Sequence, residues 1–395
     1  MKITFITFHN WDTKRIGGFH KIAEASAKAG NEVVFFSFAR PYFIYFKNEE
    51  RLNRAVLKKL SKGTEYNISD DKSKVKILNC TWPTLRIPMP FYKYFPKWVN
   101  RWLNVHSFVP FKKFDDRFLK DTDVFVFESC EAIFIYNKIK RNHPKAIYVY
   151  RPSDPLMLDG AEEDVVSMEE YVLKNCNMAF IVNQKGLDLY KSKIADFDRN
   201  VKYKILPNGV DTAKFKLSYP IPKALKKGNT ALYVGARIPE WQLIIEAAKK
   251  LENINFVIVC PEKTPQYVEN EHLCNLEVVK GILPSDVPAW VTNCNVVIIP
   301  NPKGMYKVKP WGVTAKYYQA MAAKKPVVTF DDIDELCNFG VHVNHSYEDF
   351  INCLKAVMES GNSKIEYGFQ AKDWNEISST FIQTINNLFS QNNLK

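Results

Sequence analysis

The chain has 395 residues, 46% apolar and 25% charged, a globular balance that excludes a disordered tail, a collagen-like repeat and a coiled-coil rod. At roughly 100–200 residues per domain, two large domains are expected, and no window reaches the ~18 uninterrupted apolar residues of a membrane-crossing helix. Fifty-five Lys plus Arg against 43 Asp plus Glu leave a net charge of +12, which favours polyanionic partners such as nucleic acid, anionic lipid or phosphorylated substrates.

In chain order, residues 1–8 read as a β run rather than a leader, because they carry no cleavage-site pattern. Strands are expected at 3–8, 32–37, 124–127, 146–150, 178–182 and 203–206. Several are continuous apolar runs, as strands covered on both faces require. Residues 40–118 depart from this pattern, with a charged helix over 48–62, a polar loop over 62–74 and then an aromatic and basic segment. The join between halves falls after Pro207-Asn208-Gly209-Val210-Asp211, and the stretch through Pro222 reads as a linker. The second half repeats the theme, with strands at 231–234, 256–260, 276–279, 296–300 and 326–330 and helices at 242–252 and 314–323. Residues 369–395 read as an amphipathic helix with a polar tail. The pattern predicts an α/β chain of two Rossmann-like domains, 1–212 and 213–395, facing across a cleft. The last helix is a candidate to pack back on the first domain.

Ligands of such sheets bind beyond the carboxyl ends of the strands, which makes four segments informative. After the first strand, Lys14 and Arg15 precede Gly17-Gly18 in a loop that feeds a helix N-terminus, where a phosphate could sit; an ordinary surface loop fits equally well. At the end of the strand over 146–150, Asp154 stands between Pro152 and Pro155. A carboxylate held so stiffly could deprotonate an alcohol, although a turn-forming or capping Asp explains it too. Glu128 ends a neighbouring strand as a second carboxylate, or as an ion-pair partner of Arg151. In the second half, Gly235 allows close backbone approach and Arg237 could reach a diphosphate. Thr314 is a candidate cap for a helix on which Lys316 and Gln319 share a face, a spacing that suits a phosphate and a ribose hydroxyl. The eight cysteines contain no CxxC pair, and the D-x-D pairs Asp121/Asp123 and Asp332/Asp334 do not end strands that face a ligand, so no metal or other cofactor is expected.

Together these residues resemble the GT-B glycosyltransferases. The segment Pro207–Asp211 is similar to their interdomain "NGVD", and "KYYQAMAAKKPVV" (316–328) to their nucleotide-sugar helix and following strand. One branch is closer: "DVFVFESCEAIF" (123–134) followed by "YVYRPSD" (148–154) resembles the membrane-associated β-glucuronosyltransferases of xanthan-type assembly. That resemblance implies inverting, metal-independent transfer from UDP-glucuronate to a polyprenyl-diphosphate-linked oligosaccharide in bacterial surface polysaccharide assembly. It implies Asp154 as catalytic base, Lys316 on the diphosphate, Gln319 in the donor site, backbone groups of Gly281, Ile282 and Leu283 around the uracil, and Arg15 as a basic position of the first loop. Arg237, Ile282 and Asn301 differ in type from the family residues at those places. Retaining GT-B enzymes carry two glutamates where this chain has Trp311 and Gln319, which also favours inversion.

Within 82–118, Trp82, Phe91, Tyr92, Tyr94, Phe95, Trp98 and Trp102 interleave with Lys93, Lys97, Arg101, Lys112 and Lys113. Such a segment suits the headgroup level of an anionic membrane, placing the chain peripherally on the cytoplasmic face of the cell membrane. A packed helical insertion is the alternative. No recognised nucleic-acid-binding module is present, so nucleic acid is not an expected partner. Rival functions are a retaining transferase using another nucleotide sugar and a membrane-bound protein that binds a nucleotide sugar without turnover.

Overall fold

Continuous apolar runs need cover on both faces, and the computed structural model provides it by building two separate sheets with helices on either side. The structure describes residues 1–13, 16–46, 59–68, 75–302, 313–331, 334–361, 365, 367 and 372–393. The chain divides into one unit of Met1–Pro207 with Asn375–Lys395 and another of Asn208–Trp374.

The first unit contains β1 (Lys2–Thr7), β2 (Glu32–Pro41), β3 (Thr64–Asn67), β4 (Lys76–Thr84), β5 (Val124–Glu128), β6 (Ile147–Arg151), β7 (Met178–Ile181) and β8 (Tyr203–Ile205). Their order is β3-β4-β2-β1-β5-β6-β7-β8, parallel throughout except for the antiparallel β3–β4 pair. The chain runs outward from β1 in one direction and restarts at β5 in the other, so the crevice between the ends of β1 and β5 is the switch point where doubly wound sheets bind ligands. Every residue of β5 is buried. The helix Trp374–Asn393 contributes Phe381, whose ring lies 6.1 Å from Phe5 and 5.1 Å from Phe180. Burying a phenyl ring of this kind is worth about 1.5–3 kcal/mol.

The second unit contains β9 (Thr230–Val234), β10 (Asn255–Val259), β11 (Leu276–Val279), β12 (Val296–Pro300), β13 (Val327–Phe330) and β14 (His342–Asn344), all parallel, in the order β11-β10-β9-β12-β13-β14. Its switch point lies between β9 and β12. One face packs Leu243, Ile244, Phe350 and Leu354, and the other Leu225, Tyr317, Tyr318 and Met321.

The expected strands appear with ends shifted by a few residues at most, the largest shift being the extension of β2 to Pro41. The polar stretch over 62–74, expected as a loop, contains β3, an edge strand whose Thr-Glu-Tyr-Asn sequence carries no apolar signal. Of the helix expected over 48–62, residues 48–58 lie outside the described residues, and 59–62 form a turn. The aromatic segment is also divided by the fold. Trp82 belongs to β4, is only 2% exposed and donates its indole N–H to the Val109 carbonyl at 2.8 Å. Phe114 and Phe118, on the helix Phe111–Phe118, are buried in the same core. Among the described residues of 82–118, the exposed large apolar side chains are Phe91, Tyr94, Phe95, Trp98, Trp102 and Phe108. Among the described residues no helix is long and apolar enough to cross a membrane.

Candidate active site

In the first unit, three strands end side by side at the switch point, on Thr7, Glu128 and Arg151. Glu128 is buried and accepts hydrogen bonds from the Thr7 hydroxyl and, at 2.6 Å, from the Ser153 hydroxyl. Burial pushes its carboxyl above the usual range, against these hydrogen bonds and the Arg151 charge. Arg151 is Glu128's register partner on β6; burial lowers it to about 10 while Glu128 opposes the shift. Through the Thr7 and Ser153 hydroxyls Glu128 links the ends of β1 and β5 to the segment after β6.

That segment carries Asp154. The Ser129 hydroxyl oxygen accepts the amides of Ser153 at 3.0 Å and Asp154 at 3.4 Å, and the flanking Pro152 and Pro155 are buried. Asp154 itself is exposed. A carboxylate exposed on a backbone held in this way has the chemistry to take a proton from a hydroxyl brought to it.

Lys14 and Arg15 lie outside the described residues. The ends of their loop are held by residues that sequence patterns do not single out. The His20 ring lies 2.9 Å from the Asn10 carbonyl through Nε2 and accepts the Gly17 amide through Nδ1 at 3.4 Å, the pattern of a neutral imidazole whose proton we assign to Nε2; burial lowers its pKa. Buried Arg40 donates to the Asn10 side chain at 3.1 Å and to the Phe8 carbonyl.

In the second unit, Lys316 projects from the first turn of the helix Ala315–Ala322. Its ammonium donates to the Tyr233 hydroxyl at 3.1 Å and lies 4.6 Å from the centre of that ring, while the hydroxyl donates to the Arg237 carbonyl at 2.9 Å. Burial, followed by repulsion from Arg237, lowers Lys316 to about 8, with Cys260 and Asp331 opposing. Lys316, near enough to Arg237 to feel its charge and set in the first turn of a helix, stands where an anion would be favoured.

Gly235 makes the arrangement possible. A Cβ there would lie 2.5 Å from the Tyr233 hydroxyl and 2.9 Å from Lys316 Cε. Gly235→Ala is expected to displace the lysine and to cost about 1–3 kcal/mol, read as a lower midpoint in thermal denaturation; an unchanged midpoint would show that the close packing is relieved at no cost.

Thr314 occupies the N-cap position, but its hydroxyl makes no capping hydrogen bond, contrary to expectation; its extended backbone instead lets its carbonyl accept the Tyr317 amide at 3.1 Å. Gln319 is half-buried like Lys316, three residues further along the helix. Gly281 (φ +80°) turns the chain after β11, and a Cβ there would lie 3.4 Å from Pro261. The adjacent Cys260 donates its thiol to the Arg237 carbonyl at 3.4 Å. Ile282 is half-buried and Leu283 is 54% exposed. Asp331, which the sequence does not single out, accepts from the Asn301 side chain and, at 3.3 Å, from the Tyr317 hydroxyl, joining the ends of β12 and β13.

Among the described residues no three His, Cys, Asp or Glu side chains gather as metal ligands. Asp123 lies at the opposite edge of its sheet, where its carboxylate accepts the Lys2 amide at 2.8 Å, and Asp332 is outside the described residues.

Residues 5–182 match the family model of the N-terminal domain of glucuronosyltransferase GumK, and residues 228–360 match glycosyl transferases group 1. No curated protein matches the sequence. Many solved structures share the fold over nearly the whole chain. Sucrose-phosphate synthase from Thermosynechococcus elongatus is 14% identical with a TM-score of 0.65, covering 99% of each chain. Alr3699/HepE from Anabaena, in complex with UDP and glucose, is 13% identical with a TM-score of 0.59, covering 99% of this chain and 100% of its own.

Proposed function

We propose, on the premise that the chain belongs to the GT-B glycosyltransferases and carries an N-terminal domain of the GumK type, that it transfers glucuronate from UDP-glucuronate, with inversion, to an oligosaccharide carried on a polyprenyl diphosphate. The observation that carries the reading is the Lys316–Tyr233–Gly235–Arg237 arrangement, a cationic site at the switch point of the second sheet. A UDP complex of the similarly folded HepE supports a uridine diphosphate as its occupant.

In this reading the second unit holds the donor. Lys316, Arg237 and the first-turn amides of the helix Ala315–Ala322 offset the diphosphate charge and stabilise UDP as it leaves. Gly281, Ile282 and Leu283 hold the uracil through backbone groups, and Gln319 binds a sugar or ribose hydroxyl. The first unit supplies the acceptor site and the base. Asp154 takes the proton of the acceptor hydroxyl as that oxygen attacks C1 on the face opposite UDP. The C1–oxygen bond to UDP breaks, and the anomeric centre inverts. Because protein cations balance the diphosphate, the reading includes no metal.

A lipid-linked acceptor needs the protein at a membrane surface. Tyr94 and Trp98 are 69% and 73% exposed, beside exposed Lys93 and Lys97. Arg101 plays another part: it donates to Glu162 at 2.8 Å and Asp164 at 3.0 Å, anchoring the helix Lys97–Asn104 to the rest of the unit. Lys97 lies 3.4 Å from the same Glu162, so peripheral docking on the cytoplasmic face of an anionic membrane rests mainly on the aromatic side chains and Lys93. Tyr94→Ala with Trp98→Ala is expected to weaken co-sedimentation with anionic vesicles by at least about tenfold; unchanged co-sedimentation would sink the docking.

A donor screen that follows UDP release with lipid-linked acceptor analogues, with and without EDTA, tests the function. Turnover of UDP-glucuronate with an inverted product bond, unaffected by EDTA, is expected. A retained bond or a different preferred sugar would overturn the assignment, and failure of every donor would favour a nucleotide-sugar sensor.

A further inference from the structure

We propose that Glu169 is a positioning residue that holds the Asp154 segment in its working conformation. The inference rests on the reading of Asp154 as the base. Glu169 lies on the helix Glu163–Asn175 and is fully buried, a placement that costs free energy unless the carboxylate is well bonded. It accepts four hydrogen bonds. One carboxylate oxygen takes the Tyr150 hydroxyl at 2.7 Å and the Tyr190 hydroxyl at 2.8 Å. The other takes the amides of Leu156 at 2.9 Å and Met157 at 2.7 Å.

Those two amides complete a pattern. Between residues 153 and 157 the amides of Ser153 and Asp154 end on Ser129, those of Leu156 and Met157 end on Glu169, and Pro155 has none. The backbone around Asp154 is thus tied to two side chains, one on each side of the proline. Glu169 grips the far side, and its second oxygen is fixed by phenols from β6 and from the helix Gln184–Lys193. An apolar side chain would fill the same space on the inner face of the helix but would leave two loop amides without acceptors. Burial pushes the Glu169 carboxyl up while its four donors pull it down, and burial holds both tyrosines protonated as donors.

The test compares Glu169→Gln, which keeps an oxygen for the two amides, with Glu169→Leu, which keeps the bulk and loses both oxygens. Asp154→Asn is the control, and the whole chain is used throughout. Glu169→Leu is expected to lower kcat about a hundredfold, with donor KM and UDP affinity within about twofold of the wild type. Glu169→Gln is expected to restore kcat to within about fivefold. Hydrogen exchange of the peptide spanning 153–157 should speed up in Glu169→Leu and not in Glu169→Gln, and this readout does not depend on turnover. Where Glu169→Leu does not fold, Glu169→Asp takes its place: it is one methylene too short for both amides and is expected to lose about tenfold in kcat, with faster exchange over 153–157. A folded Glu169→Leu or Glu169→Asp with wild-type kcat and unchanged exchange overturns the proposal. If Asp154→Asn is inactive while Glu169→Leu is fully active, only the positioning role fails; an active Asp154→Asn removes the base assignment itself.

Discussion

Asp154→Asn is expected to lower kcat about a thousandfold while UDP affinity stays within about twofold of the wild type. A carboxamide cannot take the acceptor's proton at neutral pH, and a positioned general base contributes about 10²–10⁴ in rate. The hydrogen bonds to Ser129 come from backbone amides of the segment, so the substitution leaves them in place. Glu128 is no substitute, because it is buried and already accepts from Thr7 and Ser153. UDP is assigned to the other unit, so calorimetric titration of UDP should not sense the change. UDP release in the presence of acceptor measures the loss, and retained turnover would remove Asp154 from its role.

The second large effect concerns Lys316, whose ammonium burial and Arg237 bring to about 8 in the ligand-free protein. A bound diphosphate would favour the charged form and raise that value. UDP binding above pH 8 must then draw a proton from solvent, and affinity should fall by an amount approaching tenfold per pH unit, or about thirtyfold between pH 7 and 9.5. Stability runs the other way. The unfolded lysine keeps its proton to about 10.5, so between about 8 and 10.5 the unfolded chain holds more protons. The ligand-free protein should therefore gain stability as pH rises through that window, and the gain should be absent below it. Lys316→Ala is expected to weaken UDP binding about thirtyfold to a hundredfold at pH 7, as the loss of a charged hydrogen bond would, and to flatten both pH dependences. Calorimetry and thermal denaturation at pH 7 and 9.5 check these signs. A UDP affinity independent of pH would mean that Lys316 does not meet the diphosphate.

Particular elements show how far the residue pattern reaches. β5 and β12 are legible because four successive positions in each, all β-branched or aromatic, suit a strand buried on both faces. β3 is not, because its four residues carry no apolar period. The aromatic run over 82–118 reads as one surface, yet the fold puts Trp82 in a strand and leaves Trp98 in solvent. Composition records that these side chains are aromatic and cannot record which of them the sheet covers. Lys316 and Asp154 are legible because both follow strand-end or helix-start patterns. Tyr233, Asp331, His20, Arg40 and Glu169 are not, since each acts through a partner many residues away.

By itself the sequence determined two parallel sheets and the loops at their carboxyl ends, because strand periodicity and turn residues are local properties of the chain. Only the tertiary structure decided which charged groups at those ends are exposed and which are buried. Asp154 is exposed while Glu128 and Glu169 are buried acceptors, and Lys316 is an ammonium that burial destabilises. Burial and hydrogen-bond partnership depend on segments that meet only after folding, and no local pattern of residues encodes them.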